Sequence, residues 1–451
     1  MPASEPTTIL PVVVIGAGPS GLAAAAHLRS RDVDVLVLEK GPTAGAAVAE
    51  WGHVRLFSAW SELVDPAAEQ LLSQTGWSSP DPSTYPTGAE WVTGYLQPLA
   101  DALGESVRYD SAVTSVAKQS RDRLVSSGRD EAPFTVHVST PDGPAHVMAR
   151  AVIDASGTWS GPNPLGGDGV PAIGEREAGA QVSYRVPDLR DEATRARYAG
   201  KHVVVAGTGA SAKTALIALT NLARDEPSTR ISWLVRRGSV GEAFAGSGQD
   251  ELPQRGALGQ QAQQAVTQGP VTTLNGFRTA TIDRNDKGRL TIGSFDGQTV
   301  TDVDEVVALT GFRPDLDLLS EIRLDLDPVL QSPRELAPLI DPNVHSCGTV
   351  YPHGAKELAQ PEAGFYLVGM KSYGRATSFL ALTGFEQTRS VAAAIAGDHE
   401  AAARVELTLP DTGVCGGTGL FDEESATGGG GCCGGVDVAP VLLTIGRPSD
   451  R

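Results

Sequence analysis

The chain opens with two short apolar runs that flank a glycine turn and an alanine-rich segment. The runs PVVVI at 11–15 and VDVLVL at 33–38 are typical of strands buried on both faces of a parallel sheet. Between them lie the turn GAGPSG at 16–21 and the segment LAAAAHLR at 22–29, which predicts a helix. The order is strand, glycine turn, helix and strand, and Glu39 follows the second strand directly.

This spacing is typical of a dinucleotide-binding unit. Gly16 permits a tight turn, Gly18 lets the backbone approach a pyrophosphate, and Gly21 lets the helix pack on the strand. The pyrophosphate would lie on the free amides of the helix N-terminus, and Glu39 would accept the hydroxyls of an adenosine ribose. Because the second strand ends on an acid, the expected dinucleotide is FAD with a free ribose. The predicted contacts are Gly16, Gly18, Pro19, Ser20, Gly21, Glu39 and Lys40.

A second copy of the pattern covers residues 201–237. It has the strand HVVVA at 202–206, the turn GTGASA at 207–212, a helix over 213–223 and the strand ISWLV at 231–235. This last strand runs into two arginines, and positive charge at that place accommodates a 2′-phosphate, which favours NADP over NAD. The alternative is a pair of surface arginines in a loop. The predicted contacts are Gly207, Gly209, Ala210, Ser211, Arg236 and Arg237.

Two dinucleotide sites in one chain imply electron transfer from NADPH to FAD. The runs AVIDASG at 151–157 and EVVALTG at 305–311 indicate the crossovers by which the chain leaves and re-enters the flavin domain. A strand at 364–369 and a helix over 383–396 would close that domain. The predicted fold is α/β, with an FAD-binding Rossmann-like domain of the glutathione-reductase type and an inserted NADP-binding Rossmann-like domain. The predicted divisions are 1–168 (with a helical cap at 41–110), 169–300, 301–403, and a flexible tail at 404–451.

Charge and composition limit the classes of molecule that the protein is expected to bind. The 451 residues carry a formal net charge of −18, which argues against nucleic acid and membrane surfaces as partners. The first ten residues have no basic region followed by a cleavable apolar core, so we expect no secretion, and no apolar stretch is long enough to span a membrane. Four cysteines without a Cys-x-x-Cys pair indicate free thiols. We therefore expect a soluble cytoplasmic protein that acts on a small molecule, with a homodimer possible.

Several motifs carry a resemblance to a known family. They are GAGPSG at 16–21, WGHVRLFSAW at 51–60, DASGTWSGPN at 154–163, GTGASA at 207–212, TGFRPDL at 310–316, HSCGTV at 345–350 and GMKSYGRAT at 369–377. Residues 10–400 resemble the two-dinucleotide-binding flavoprotein superfamily, nearest to flavin-containing monooxygenases. Within that group the chain is similar to the flavin monooxygenase-like proteins found with bacterial arsenic-resistance genes.

The resemblance adds Trp51, Val113, Gly157 and Met370 as expected flavin contacts. For the tryptophan-rich segment at 41–110 the alternative is a helical cap packed by aromatic side chains. The chain departs from the family at the stretch F-x-G-x-x-x-H-x-x-x-[YF] that precedes the second turn. With Tyr184 aligned on the last position, Arg176 replaces the glycine of this stretch and Ala180 replaces its histidine.

The C-terminal segment concentrates the thiols. Residues 411–435 hold ten glycines together with Cys415, Cys432 and Cys433. One interpretation is a tail with incidental thiols. The other is a thiol arm that holds a soft centre such as trivalent arsenic or antimony, or whose adjacent cysteines form a labile disulfide. Cys347 is either a small core residue or a thiol near the substrate.

These observations predict an NADPH-dependent, FAD-containing monooxygenase. It would oxygenate a soft nucleophile, a sulfur compound or a trivalent arsenical, through a peroxyflavin; the sequence indicates no catalytic side chain. The main alternative is a flavin reductase that passes electrons to the tail thiols and on to a disulfide or metalloid. A third possibility is a non-catalytic, metalloid-binding flavoprotein.

Overall fold

The computed structural model describes residues 10–236, 240–244, 252–342, 353–376 and 379–406. Its strands, numbered in chain order, are β1 (Val12–Ile15), β2 (Val35–Leu38), β3 (Val107–Arg108), β4 (Ala112–Lys118), β5 (Phe134–Thr140), β6 (Gly143–Ala149), β7 (Ala151–Asp154), β8 (Val182–Ser183), β9 (His202–Ala206), β10 (Arg230–Val235), β11 (Val271–Asn275), β12 (Thr279–Arg284), β13 (Leu290–Ser294), β14 (Thr299–Val303), β15 (Glu305–Ala308) and β16 (Phe365–Leu367).

The helices are short except for four. They are α1 (Pro19–Arg29), α2 (Ala46–Ala49), α3 (Pro66–Leu72), α4 (Gly88–Trp91), α5 (Gln97–Leu103), α6 (Glu175–Ala178), α7 (Glu192–Tyr198), α8 (Ala210–Asp225), α9 (Val240–Phe244), α10 (Pro253–Gln268), α11 (Ala337–Ile340), α12 (Ala355–Leu358), α13 (Ala381–Ile395) and α14 (His399–Ala403). None of the helices in the described ranges is long and apolar enough to cross a membrane.

The first sheet is parallel and has the strand order β16-β7-β1-β2-β3. Helix α1 crosses from β1 to β2 and packs against α13, which follows β16. The central strands are buried along their whole length, as the continuous apolar runs predict. This sheet contains strands from both ends of the described chain. Strand β16, near the C-terminal end, pairs with β7, which itself pairs with β1.

The second sheet is also parallel and has the order β11-β10-β9-β15-β8. Strand β15 pairs with β9, with Glu305 opposite Val203. The sequence-based division at residue 300 assigned this strand to the returning flavin domain, and the pairing corrects that assignment. The strand fills the place between β9 and β8, so the chain returns to the first sheet only after it has completed the second.

The two connections between the sheets lie side by side. Pro162 forms a β-bridge with Phe312, and the Arg313 amide donates to the Gly161 carbonyl at 2.8 Å. One connection follows β7 and the other follows β15, so both ends of the second sheet are tethered at one place. Together the two parallel sheets, each with helices packed on them, confirm the predicted α/β class.

Two antiparallel sheets, β4-β5-β6 and β12-β13-β14, are not among the strands that the sequence patterns predict. The first packs against the first parallel sheet, where Phe134 and Val136 join a core with Val13 and Ile15. The second packs in the same way on the second parallel sheet, where Ile292 joins a core with other strand residues. Each therefore covers one face of a parallel sheet that helices cover on the other.

The segment at 41–110 contains four short helices and strand β3. Trp60 and Trp91 are buried in the same core as α1, and Trp77 packs against that core. The Trp91 indole donates to the Leu63 carbonyl at 3.1 Å, and the Trp77 indole donates to the Gly94 carbonyl at 2.8 Å. These aromatic residues therefore pack the cap.

Candidate cofactor sites

The three glycines of the first turn have three different surroundings. Gly16 has a φ of +98°, and a Cβ there would lie 3.1 Å from the Ala155 carbonyl oxygen. A Cβ on Gly21 would lie only 1.9 Å from the Gly16 oxygen, while one on Gly18 would meet no heavy atom of the described chain within 4 Å. The geometry thus fits a tight turn at the first glycine, open space at the second and close helix packing at the third.

Helix α1 begins at Pro19, with Gly18 as its N-cap residue. A glycine cap has no side chain to occupy the helix amides, which therefore stay available to an anion. The Ser20 hydroxyl lies close to two other segments: a Cβ built on either Gly369 or Gly384 would be 2.7 Å from it. The turn therefore contacts the end of β16 and the start of α13.

Glu39 is buried beside this turn. One carboxylate oxygen accepts from the Ala17 amide at 2.7 Å and the other accepts from the Gly41 amide at 2.8 Å. Each oxygen keeps a lone pair after these bonds, so the fixed carboxylate can still accept hydroxyl donors. Its own carbonyl accepts from the Ser111 amide at 2.8 Å, close in sequence to Val113 on β4. Lys40 is exposed.

A buried ion pair lies behind the first turn. Lys371 and Asp154 are both fully buried, and the ammonium lies 2.7 Å from a carboxylate oxygen. The Ser156 hydroxyl donates to the other carboxylate oxygen at 2.6 Å and accepts from Lys371 at 3.0 Å. Asp154 is opposite Ile15 in the sheet, so the pair lies where β1 enters the turn. No sequence pattern indicates this pair, although DASG and GMKS contain both of its members.

The segment after β16 is held from α13. The fully buried Gln387 accepts from the Gly369 amide at 2.7 Å, and its amide nitrogen lies 2.9 Å from the Ser372 hydroxyl oxygen. Met370, an expected flavin contact, is half-buried in the short 3-10 helix Gly369–Tyr373. Gly157, another expected contact, has a φ of +70° and open space around a Cβ within the described chain. Trp51 packs on Gly88 of the cap.

The second turn has the same frame. Gly207 has a φ of +114°, and a Cβ there would lie 2.2 Å from the Leu309 carbonyl oxygen. A Cβ on Gly209 would meet nothing of the described chain within 4 Å, and α8 begins at Ala210, directly before the exposed Ser211. Behind this turn the Trp233 indole donates to the Gly207 carbonyl at 2.8 Å.

Arg236 follows β10 and is exposed. Its neighbour Arg237 lies outside the described residues, so only one member of the predicted 2′-phosphate pair has a described position. The position of Arg236 beyond the second strand of this unit corresponds to that of Glu39 in the first unit.

The cysteines for which the sequence predicts thiol chemistry lie outside the described residues. All four cysteines, Cys347, Cys415, Cys432 and Cys433, lie beyond the described ranges. Within those ranges, no group of three or more His, Cys, Asp or Glu side chains is placed to hold a metal ion.

Two dinucleotide-type glycine turns, each at the carboxyl end of the middle strand of a parallel sheet, are typical of nucleotide-dependent oxidoreductases. A family model described as pyridine nucleotide-disulphide oxidoreductase matches residues 13–346, and the chain belongs to that family. The membership confirms the prediction of a flavin-dependent oxidoreductase.

Among curated proteins, the chain is 25% identical over 230 residues to the flavin-containing monooxygenase FMO GS-OX-like 2 of Arabidopsis thaliana, an alignment that covers 46% of each chain. The chain thus spans about half the length of this relative. Among solved structures, the bacillithiol disulfide reductase Bdr of Bacillus cereus superimposes with a TM-score of 0.62 and 20% identity over 86% of this chain and 99% of that one.

DfoA, the cadaverine monooxygenase of Erwinia amylovora, superimposes with a TM-score of 0.60 and 13% identity over 90% of this chain and 99% of that one. That structure is bound to FAD, the first of the two predicted cofactors. At these identities the structural likeness establishes the fold.

Proposed function

We propose that this chain is an NADPH-dependent FAD monooxygenase that oxygenates a small soft nucleophile, a sulfur compound or a trivalent arsenical. The first turn would hold FAD and the second would hold NADPH. The observation that carries the assignment of the two cofactors is the contrast at the strand ends: the first unit ends on the buried, doubly hydrogen-bonded Glu39, whereas the second ends on the exposed Arg236. The monooxygenase relatives support the choice of reaction.

The residues of the first turn fit FAD. Gly18 leaves open space in front of the α1 amides, and Glu39 presents its carboxylate at the place of the ribose. When bound, the flavin supplies hydride acceptance and oxygen activation, and the chain supplies position and electrostatics. For a sulfide the overall reaction consumes one NADPH, one proton and one O₂, and it yields a sulfoxide, NADP⁺ and water.

A matched pair of variants tests the two cofactor assignments. Gly18 and Gly209 both have open space around a Cβ in the described chain, so valine at either position is expected to fold. We expect Gly18→Val to purify without yellow flavin, because the side chain occupies the pyrophosphate position. Gly209→Val should retain FAD and lose NADPH oxidation. Full flavin occupancy in Gly18→Val would contradict the placement of FAD.

The monooxygenase reaction is tested with ¹⁸O₂. A methyl sulfide and a methylated trivalent arsenical serve as substrates, and mass spectrometry measures label in the product. We expect one labelled oxygen per product and a product yield close to the NADPH consumed, with little hydrogen peroxide. NADPH consumption that yields only hydrogen peroxide with both substrates would contradict the proposal.

The second candidate is a reductase that passes electrons to thiols. The fold likeness to a bacillithiol disulfide reductase suggests it, and Cys415, Cys432 and Cys433 would be the thiols. This candidate predicts disulfide reduction by NADPH without oxygen, and loss of that activity in a chain truncated after Pro410. The same truncation tests the metalloid arm, since it should weaken binding of arsenite at least tenfold if these thiolates are ligands.

A further inference from the structure

A cavity of about 590 Å³ lies between the cap and the segment that leads into the second sheet. Its lining comes from residues in 49–53, 87–89 and 183–198, and it includes neither glycine turn. The volume is in the range of small-molecule pockets. The cavity is therefore separate from the positions that the two pyrophosphates would occupy.

Arg185 forms one wall of this cavity and contacts the connection between the parallel sheets that follows β7. Its guanidinium carbon lies 3.8 Å from the Trp159 ring centroid, and one terminal nitrogen, Nη2, donates to the Trp159 carbonyl at 3.0 Å. Its Nε lies 3.6 Å from a Glu50 carboxylate oxygen that already accepts from the Trp159 indole at 2.7 Å. The other terminal nitrogen, Nη1, is buried and has no hydrogen-bond partner within the described residues.

His53 lines the same cavity from the side of the cap. Its Nε2 is also buried without a hydrogen-bond partner in the described chain. Burial lowers the pKa of His53, although the nearby Asp188 opposes this, so the neutral ring is favoured. A buried nitrogen without a partner costs free energy. A bound carboxylate removes that cost at His53 by favouring the protonated ring, whose Nε2 donates while the other nitrogen keeps its bond to the Val186 backbone.

The other two arginines of the lining have carboxylate partners. Arg190 forms a two-bond pair with Asp188 at 2.8 and 2.9 Å. Arg197 lies 2.9 Å from a Glu305 oxygen through its Nε. Among the described residues that line the cavity, Arg185 and His53 thus stand out as side chains with buried nitrogens that lack an acceptor.

We propose that this cavity binds the carboxylate of an acidic small molecule, with one oxygen accepting from Arg185 Nη1 and the other from His53 Nε2. We assign this molecule as the oxygenated substrate, an acidic sulfide or thiol; that assignment rests on the proposed function, whereas anion binding does not. Because both nitrogens are closed off from solvent, binding must turn them towards the cavity. The guanidinium would then move on Trp159, which makes this indole a reporter of binding.

The test uses the full chain with bound FAD and without NADPH. Calorimetry compares (methylthio)acetate with its neutral methyl ester, and tryptophan fluorescence follows the same titration. We expect the acid to bind at least tenfold more tightly than the ester. Arg185→Gln and His53→Gln should each remove the difference, and the flavin absorbance of each variant verifies that it is folded. Arg195→Gln is the matched control, because this arginine of α7 pairs with Asp225 and lies outside the lining, so acid binding should stay within twofold of the wild type.

Equal affinity of acid and ester for the wild type would overturn the proposal, and so would an equal loss of acid binding in Arg195→Gln. Displacement of the acid by NADP⁺ or by inorganic phosphate would show that the anion of the site is a phosphate, which also overturns it. Turnover is measured separately with NADPH and oxygen. If the acid binds as expected but is not oxygenated, the site stands and the proposed function fails.

Discussion

The two glycine turns share a backbone and differ in what lies around it. In both, the first glycine has a positive φ, and a Cβ on it would lie within about 3 Å of the carbonyl oxygen of the residue that follows a neighbouring strand, while the second faces open space in the described chain. At the third position Gly21 leaves no room for a methyl group, but Ala212 is accommodated and fully buried. The backbone at the first two glycines is therefore the same in both turns. The third position differs, because the first turn has no room for a methyl group there and the second turn has.

The two helices also differ in how much of their surface is buried. Every residue of α1 from Gly21 to Leu28 is buried, because the helix lies between its own sheet, the cap and α13. Helix α8 buries mainly one face, at positions such as Ala215 and Leu219, and leaves the other towards solvent.

Behind the turns the contrast is one of charge. The first is supported by the buried pair of Lys371 and Asp154, and the second by the neutral hydrogen bond from Trp233 to Gly207. Removal of one partner of a buried ion pair leaves an uncompensated charge, which costs more than the loss of a neutral hydrogen bond.

The largest effect is therefore expected for Lys371→Met, which leaves Asp154 buried without its cation. Chemical denaturation should show a loss of about 3–5 kcal/mol, against about 1–3 kcal/mol for Trp233→Phe, which removes one neutral hydrogen bond and part of a fully buried ring. Lys356→Met is the control, because this lysine is 90% exposed and should be neutral. A similar small loss in all three variants would show that the buried pair does not stabilise the first turn.

The third glycine position comes next. Gly21→Ala places a methyl group 1.9 Å from the Gly16 oxygen, so it should cost about 1–3 kcal/mol and lower the retained FAD. The reverse change in the second turn, Ala212→Gly, should cost about 1–2 kcal/mol through helix propensity and the loss of a buried methyl group, and leave FAD in place. Denaturation and the ratio of flavin to protein absorbance measure both. Retention of stability and flavin in Gly21→Ala would remove the distinction between the two helices.

The strand ends sharpen the comparison of cofactors. Arg236→Ala combined with Arg237→Ala should raise KM for NADPH by about tenfold or more and leave KM for NADH nearly unchanged, because a charge-assisted hydrogen bond contributes about 1.5–3 kcal/mol. Arg230→Ala, at the exposed start of the same strand, is the control. Equal increases for both nucleotides would contradict the 2′-phosphate assignment.

The smallest effect concerns pH and the second sheet. His202 is buried between the Ser232 hydroxyl at 2.9 Å and the Asp302 carbonyl at 3.2 Å, and burial lowers the pKa of this histidine. The unfolded chain then binds the proton more readily than the folded one. Stability should thus be full above pH ~6.5 and decrease as the pH falls towards the folded pKa. His202→Gln should flatten this decrease in denaturation experiments between pH 7.5 and 5.5; an unchanged slope would exclude His202 as its source.

The sequence by itself determined the local units of this protein. Strands β1, β2, β9 and β10, the two turns and the helices that follow them lie close to where the apolar runs and glycine spacing predict. These elements can be predicted because the residues that determine them lie within about thirty positions of one another along the chain. The same local signals predicted a flavin-dependent oxidoreductase, which the family match confirms.

The tertiary structure decided which distant segments meet. Asp154 and Lys371 are 217 residues apart, and no periodicity in either segment indicates that one neutralises the other. Strand β15 has the same apolar pattern in either sheet, and only its pairing with β9 assigns it. The cavity at Arg185 and His53 likewise exists only because the cap meets the second sheet. Local propensity predicts a strand or a turn, but the free energy that selects a neighbour comes from burial and charge pairing, which only the assembled fold defines.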